Sequence, residues 1–163
     1  MDDYPRVRDC MKKGVVSIGV HASLEEAVAL VVKKKIGTLP VLNSAGHLVG
    51  VTTLHDIMQN FLPDFVDLLG DIDFVKDFGA VKAPSQERLK KVAALSVADI
   101  MEEPVAVESD SSLVKSLSML EKHGMWDLPV VDGGKLVGIA SRVDIVRAFF
   151  LEWQIPHLDD TKE

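Results

Sequence analysis

Short apolar runs and longer apolar stripes alternate along the chain in an order that occurs twice. A run rich in β-branched residues at 15–18 predicts a strand, because such side chains suit a pleated, half-buried surface. The apolar positions between Leu24 and Val32 recur at helical spacing, and Ser23 with Glu26 forms a capping box at their start. Strands at 39–42 and 48–53 and a helix at 54–61 complete a β-α-β-β-α order.

The second half of the chain repeats this order. Its predicted elements are a strand at 105–107, a helix that Ser112 caps at its start, strands at 128–131 and 136–140, and a helix at 142–153. Pro40 lacks the N–H that a ladder needs, so we expect it at the start of its strand or on a sheet edge. A unit of about 50 residues buries too little surface to be stable alone, so we expect the two copies to pack against each other.

Three motifs mark the repeat. Both copies open with V-x-D-x-M, at 7–11 and 97–101, and both carry L-P-V in the second strand. In both, G-x-x-[ST]-x-x-D-I joins the third strand to the last helix, at 50–57 and 138–145, which is 88 residues apart (138 − 50). We therefore divide the chain into a first repeat at 1–61, an insert at 62–96, a second repeat at 97–155 and a polar tail at 156–163.

The insert is too long to be a plain connection inside a compact domain. Its apolar residues predict two helices, one across 65–78 and one that begins at Pro84 or Ser85. These apolar side chains must be buried against some surface, and two such surfaces are possible. One is the outside of the same chain, and the other is a dimer contact or the groove of a partner protein.

Composition narrows the class of protein. The net charge of −7 argues against a track for nucleic-acid phosphates, which needs concentrated Lys and Arg. The longest apolar run is far shorter than the ~20 residues of a membrane helix, and the acidic start lacks the pattern of a signal peptide. The single cysteine, Cys10, cannot form an internal disulfide and fits a reducing cytoplasm.

Catalytic and metal-binding motifs are missing from the sequence. Its cysteine and histidines have no zinc spacing, and it contains no nucleophile elbow, no P-loop and no metal-binding histidine pair. We therefore predict no metal, no required cofactor and no enzymatic activity.

The G-x-x-[ST]-x-x-D-I motif allows two interpretations. Thr53 with Asp56, and Ser141 with Asp144, place a hydroxyl and an acid three residues apart where a helix begins. That spacing is close to a capping box, which stabilises a helix by about 1 kcal/mol without any ligand. It also suits a nucleotide, because a carboxylate accepts from ribose hydroxyls and a helix N-terminus attracts phosphate. The spacing alone leaves both roles open, and the two are compatible.

The three motifs, in the same order twice, resemble the cystathionine-β-synthase (CBS) domain family arranged as a tandem pair, a Bateman module. The resemblance covers 7–61 and 97–150. It implies an α/β (α+β) fold of two β-α-β-β-α repeats with pseudo-twofold packing and a helical insert between them. It also implies a homodimer, commonly a disc of four repeats, and regulatory binding of adenine nucleotides in clefts between the repeats.

The resemblance also implies which residues hold the nucleotide. Asp56 and Asp144 would hold ribose hydroxyls, and Thr53 and Ser141 would face ribose or phosphate. The backbone near the first strand and the residue before L-P would line the adenine pockets: Val15, Val16 and Thr38 in one site, and Pro104, Val105 and Asp127 in the other.

The two copies differ where a phosphate would lie. Arg142 follows Ser141, whereas Leu54 takes its place in the first copy. A guanidinium can pair with phosphate oxygens, so we expect the second site to prefer a charged nucleotide and the first to be weaker or to accept adenosine-like ligands. Asp127 opposes this preference, since a carboxylate repels a nearby anion.

Two functions remain open for the chain. The first is a cytoplasmic sensor that binds AMP, ADP, ATP or a ligand like S-adenosylmethionine and signals to a protein partner by a population shift. The alternative is a constitutive dimerisation or scaffold module with degenerate clefts, whose middle helices bind another protein. Neither function involves nucleic acid or a membrane.

Overall fold

The computed structural model describes residues 4–61 and 85–152. Their elements are α1 (Val7–Cys10), β1 (Ile18–Gly19), α2 (Leu24–Lys34), β2 (Thr38–Leu42), β3 (Leu48–Thr53), α3 (Leu54–Phe61), α4 (Gln86–Ala93), α5 (Val97–Ile100), β4 (Val107–Glu108), α6 (Leu113–Lys122), β5 (Asp127–Asp132), β6 (Lys135–Ser141) and α7 (Arg142–Glu152). The α/β class and the repeated β-α-β-β-α order are confirmed. The helical turns α1 and α5, which open the two copies, were not predicted.

The insert is described only in its second part. Helix α4 begins after Ser85, whose side-chain oxygen accepts a hydrogen bond from the Arg88 N–H at 3.2 Å, so the predicted helix start is confirmed. The helix predicted across 65–78 lies outside the described residues. Within 4–61 and 85–152, no helix reaches the length and apolar character that crossing a bilayer requires.

Each copy forms a three-stranded sheet, with orders β1-β2-β3 and β4-β5-β6. The first strand of each sheet pairs in parallel with the second, and β5 and β6 form an antiparallel hairpin. Ser112 caps α6 through a bond from the Lys115 N–H at 3.2 Å, and Ser23 with Glu26 caps α2 as a complete capping box, as predicted.

The first strands are shorter and lie later than predicted. The structure has only Ile18–Gly19 and Val107–Glu108 where 15–18 and 105–107 were expected. The parallel register places Ile18 opposite Val41, so the next residue toward the start of β2 is Pro40. Because proline has no N–H to donate, the ladder between β1 and β2 ends there.

The prediction that Pro40 lies at a strand start or on a sheet edge is therefore wrong. Pro40 is the third residue of β2, the middle strand of its sheet, and it is fully buried. A proline is tolerated there because the pairing with β1 begins only at the next residue, Val41.

The described residues form two compact units that do not follow the order of the sequence. The Asp144 unit contains 4–16, 43–48 and 104–152, and the Asp56 unit contains 17–42, 49–61 and 85–103. Helix α1, from the opening of the first copy, thus belongs to the unit built mainly from the second copy, and α5 belongs to the Asp56 unit. The predicted segments, two repeats with an insert between them, therefore differ from the compact units. That division of the sequence stays a prediction.

The V-x-D-x-M motif explains how the short helices are held. In the Asp144 unit, Val7 is fully buried in a core cluster with Leu120, Leu128 and Ile145. Asp9 accepts a bond from the Arg6 N–H at 2.7 Å and so caps the helix. In the Asp56 unit, buried Val97 and the cap formed by Asp99 on the Ser96 N–H at 2.9 Å repeat this arrangement. In both motifs the valine side chain is buried in the core, and the aspartate caps the helical turn.

The methionine of each motif packs on the glycine of a G-x-x-[ST]-x-x-D-I segment. A Cβ added to Gly138 would lie 2.3 Å from Met11 Sδ, and one added to Gly50 would lie 2.4 Å from Met101 Sδ. The residue after Met11 exchanges two backbone hydrogen bonds with Ile139, at 2.8 and 3.0 Å. The glycines therefore permit a close approach of side chain and backbone that any other residue would block.

Candidate functional site

The junction between β6 and α7 holds Ser141 and Asp144 in one hydrogen-bonded pair. Asp144 Oδ2 accepts from the Ser141 N–H at 2.9 Å and from the Ser141 hydroxyl at 2.6 Å. In return, the Asp144 N–H donates to Ser141 Oγ at 3.1 Å. This is the reciprocal capping box that the spacing predicted, and it orients the carboxylate through one of its two oxygens.

The junction between β3 and α3 has the same geometry. Asp56 Oδ2 accepts from the Thr53 N–H and hydroxyl, both at 2.7 Å, and the Asp56 N–H donates to Thr53 Oγ1 at 3.3 Å. Asp56 is buried, whereas the neighbouring Leu54 and His55 are exposed. The capping role is thus confirmed in both units, and in each the cap uses only the Oδ2 oxygen of the carboxylate.

Lys12 reaches the second oxygen of Asp144. Its ammonium lies 3.5 Å from Oδ1, and the lysine side chain is 69% exposed while that of Asp144 is 17% exposed. An ion pair this open to water contributes little to folding, so its interest is electrostatic: it places a positive charge at the edge of the Ser141–Asp144 pair. Lys12 arrives there on the segment that follows α1 and pairs with Ile139.

The start of α7 is already partly bonded within its unit. The Arg142 N–H donates to the Trp126 carbonyl at 3.0 Å, and the Asp144 N–H donates to Ser141. Two of the first three N–H groups of the helix therefore have protein partners. A phosphate at this helix N-terminus would find fewer donors than an uncapped helix offers, so a side-chain cation matters more.

Arg142 is committed mainly to the protein. Its guanidinium donates to the carbonyl of Met125 at 2.8 Å, to the carbonyl of Leu120 at 3.3 Å and to the Glu121 carboxylate. It also lies 5.2 Å from the ring centroid of Trp126, which is itself exposed. Three of the five N–H donors of the guanidinium are thus used. The predicted phosphate role of Arg142 stays a prediction, and only its remaining donors could serve it.

The other predicted residues of the second site lie in the same unit. Asp127 sits directly opposite Ser141 in the pairing of β5 with β6. Val105 is half-buried against the core cluster of the unit, and Pro104 is exposed at its side. The structure therefore brings all six predicted residues of this site to the Asp144 unit: Pro104, Val105, Asp127, Ser141, Arg142 and Asp144.

The predicted residues of the first site are divided between the units. Thr38, which is buried at the start of β2, belongs to the Asp56 unit with Thr53 and Asp56. Val15 and Val16 are half-buried and belong to the Asp144 unit. Their assignment to the first adenine pocket stays a prediction.

The pKa of the Cys10 thiol reflects burial and the negative charges of the Asp144 unit. Burial, with the negative charges of Asp144 and Asp9, raises the pKa of the Cys10 thiol to about 11. The thiol is half-buried against the core cluster, and Sγ lies 3.5 Å from the Val7 carbonyl. The thiol is therefore neutral at physiological pH and packs against the core as a small apolar side chain does.

Lys12 was not predicted as a neighbour of Asp144. The two residues are 132 positions apart (144 − 12) and lie in different copies of the repeat. The only sequence signal was indirect: V-x-D-x-M must pack on some part of the fold, and the two copies offer two equally plausible places. Local patterns contain no information that selects between them.

Two sheets of the same topology, each followed by a hydroxyl–carboxylate cap, define a tandem α/β repeat protein. The chain belongs to the CBS domain family, whose profile matches residues 7–62 and 97–151. This confirms the family that the three motifs indicated.

The relatives support the same classification. The crystal structure of CBSX2 in complex with AMP is 29% identical, has a TM-score of 0.68, and is similar over 93% of this chain and 99% of that chain. The uncharacterised protein MJ1426 of Methanocaldococcus jannaschii is 29% identical over 153 residues, covering 87% of this chain and 89% of its own length. MJ1225 of the same organism is 26% identical over 152 residues, but the chain spans only 45% of its length.

Proposed function

We propose that this chain is a regulatory module that binds adenosine-containing ligands at the Ser141–Asp144 and Thr53–Asp56 pairs. The observation that carries the proposal is the use of the carboxylate oxygens: in each pair Oδ2 accepts both cap bonds, and Oδ1 is the oxygen to which a ribose hydroxyl can donate. The capping box thus holds the carboxylate in one orientation before a ligand arrives, which lowers the entropic cost of binding.

The likeness to CBSX2 supports the class of ligand. That protein was crystallised with AMP and shares 29% of its residues with this chain over nearly its whole length. In the Asp144 unit, Pro104, Val105 and Asp127 are the proposed lining of the adenine pocket, as Thr38 is in the Asp56 unit. The proposed ligands are AMP, ADP, ATP and S-adenosylmethionine-like molecules, with AMP as the first probe.

The proposed output is conformational rather than catalytic. A ligand that favours one arrangement of the chain shifts the population toward it, and a protein partner would read that shift. We propose a homodimer as the acting form. A cytoplasmic location stays a prediction from the sequence.

Thermal-shift and calorimetric titration with AMP, ATP and S-adenosylmethionine tests the proposal. At a concentration of 100 Kd, a ligand stabilises the folded chain by about 2.7 kcal/mol, which corresponds to a Tm rise of about 5–10 °C for this size of protein. Asp144→Ala and Asp56→Ala should each remove one binding event. If none of the three ligands raises Tm or releases heat, the proposed function is wrong.

Asp→Ala also removes a helix cap, so the test needs a matched control. Glu26 forms the same kind of box on α2, accepting from the Ser23 N–H at 2.7 Å and from its hydroxyl at 3.2 Å. Glu26→Ala should lower Tm by a similar amount but leave the ligand-induced rise unchanged. A loss of ligand response in Glu26→Ala would mean that capping, and not the aspartate as a ligand, is being measured.

A second candidate function is a constitutive dimerisation or scaffold module. Exposed apolar side chains on α7 favour it: Val143 is 73% exposed, Leu151 42% and Val146 38%. Apolar side chains in such numbers on one helix are typical of an interaction surface. The ligand titrations distinguish this candidate, because it predicts no response to any adenosine ligand. Light scattering then tests it, since Val143→Glu should dissociate a constitutive dimer.

A further inference from the structure

The segments that follow α1 and α5 occupy equivalent backbone positions in their units. Lys12 exchanges two backbone hydrogen bonds with Ile139, and Glu102 exchanges two with Val51, at 2.9 and 3.1 Å. Ile139 and Val51 each lie five residues before the aspartate of the capping box (144 − 139 and 56 − 51). The methionine just before Lys12 or Glu102 packs on the motif glycine in both units.

These equivalent positions carry opposite charges. Lys12 is followed by Lys13, whereas Glu102 is followed by Glu103, and all four side chains are exposed. In the Asp144 unit the Lys12 ammonium lies 3.5 Å from Oδ1 of Asp144 and offsets its charge. In the Asp56 unit the same backbone position carries an acidic side chain instead of a basic one.

We propose that Lys12 and Glu102 determine the charge of the ligand that each unit accepts. The inference rests on the proposed function. The Asp144 unit selects an anionic adenosine ligand such as a nucleoside monophosphate. The Asp56 unit selects an uncharged or cationic one, such as a nucleoside or an adenosine that carries a sulfonium group.

The electrostatic reasoning depends on distance. A ligand whose ribose is held by the aspartate carries its 5′ group within the screening length of about 8–10 Å in physiological salt, so it experiences the charge at position 12 or 102. Two unit charges about 4 Å apart in water change an equilibrium constant about fivefold, so reversing one of them changes it by at most about 25-fold, and we expect about tenfold at a somewhat longer separation. Because the Arg142 guanidinium is bonded mainly to the protein and its charge is paired with Glu121, we assign the effect on the ligand to the Lys12 ammonium, which lies against Asp144.

Each site can be measured alone in a variant that retains only that site. Asp56→Ala leaves the Asp144 site, and Asp144→Ala leaves the Asp56 site. In each background, calorimetry measures the affinity for AMP and for adenosine, and the ratio of the two affinities is the quantity compared. We expect AMP to be favoured about tenfold in the first background and adenosine to be favoured in the second.

Charge reversal then tests the two residues. Lys12→Glu should lower the AMP-to-adenosine ratio of the Asp144 site about tenfold, and Glu102→Lys should raise that of the Asp56 site by a similar factor. Both effects should shrink between about 50 and 300 mM salt, as screening shortens the reach of the charge. Circular dichroism confirms that the variants fold, which the exposure of both side chains favours.

Lys115→Glu is the matched control. It makes the same change in net charge at an exposed position on α6 of the same unit. Its ratio should stay within about twofold of the parent. Ratios that do not respond to Lys12→Glu and Glu102→Lys, or that respond equally to Lys115→Glu, overturn the charge assignment alone. Absence of binding by both AMP and adenosine in the unmutated chain overturns the proposed function and this inference together.

Discussion

Replacing Gly138 by alanine tests whether the opening motif of one copy packs on the closing motif of the other. The added Cβ would lie 2.3 Å from Met11 Sδ, 2.9 Å from Met11 Cγ and 3.2 Å from the Lys12 carbonyl oxygen. The methionine can move, but the backbone oxygen is fixed by its bond to Ile139, so part of the overlap remains. We expect Gly138→Ala to lower the free energy of unfolding by about 1–3 kcal/mol.

A double-mutant cycle assigns this cost to the contact. Met11→Ala alone loses apolar packing, and we expect about 1–2 kcal/mol because Met11 is only half-buried. In the double variant the methyl group added at position 138 meets no sulfur, so the combined loss should fall short of the sum by about 1–2 kcal/mol. Urea unfolding followed by circular dichroism measures each value, and a constant slope with urea shows that only stability changed.

The crossed combination supplies the refuting result. Met101 packs on Gly50, so Gly138→Ala combined with Met101→Ala should be additive within about 0.5 kcal/mol. If Met101 couples to Gly138 and Met11 does not, each motif packs within its own copy and the reasoning is wrong. Gly19→Ala is the control for adding a methyl group, because its Cβ would meet nothing within 4 Å.

Single side chains carry three further predictions. The Thr52 hydroxyl is fully buried and finds no hydrogen-bond partner among the described residues, so Thr52→Val should stabilise the chain by about 1 kcal/mol, and an unchanged or lower Tm would contradict this. The raised pKa of Cys10, about 11 against an ordinary 9.0, predicts that at about pH 8 a disulfide reagent reacts with the native thiol at least about tenfold more slowly than with the urea-unfolded chain, because the roughly hundredfold smaller thiolate fraction outweighs the higher nucleophilicity of that thiolate. Equal rates would show an ordinary thiol. Arg142→Ala leaves the Met125 carbonyl without its bond and should cost about 1–2 kcal/mol in urea unfolding, whereas exposed Arg147→Ala should cost less than about 0.5 kcal/mol.

Local chemistry made most elements predictable. The capping boxes at Ser23 and at Ser141 were read correctly because a cap depends on residues only three positions apart. The β-α-β-β-α order followed from apolar periodicity in the same way. The length of the first strand was harder to predict, since the start of β1 depends on where Pro40 falls in the partner strand. A register is a relation between two segments, and no single segment contains it.

The least predictable feature was which partner each opening motif chooses. Val7 and Val97 have the same sequence context, so the pattern alone gives no reason for α1 to join the Asp144 unit. The same lack of local information limited the prediction of the candidate site. The capping pairs were found by spacing, but Lys12 was missed because its position depends on a contact that spans 132 residues (144 − 12).

The crossed placement of α1 also sets an order of events during synthesis. Every described part of the Asp56 unit has been made once residue 103 has been made, and Met101 follows its partner Gly50 by 51 residues (101 − 50). Met11 must instead wait for Gly138, 127 residues later (138 − 11), which is roughly 6–25 s at about 5–20 residues per second. During that interval Val7, which ends fully buried, has no core to enter. The segment made early in synthesis is thus placed late, and because so long a loop must close, we expect the Asp144 unit to be the slower of the two to fold.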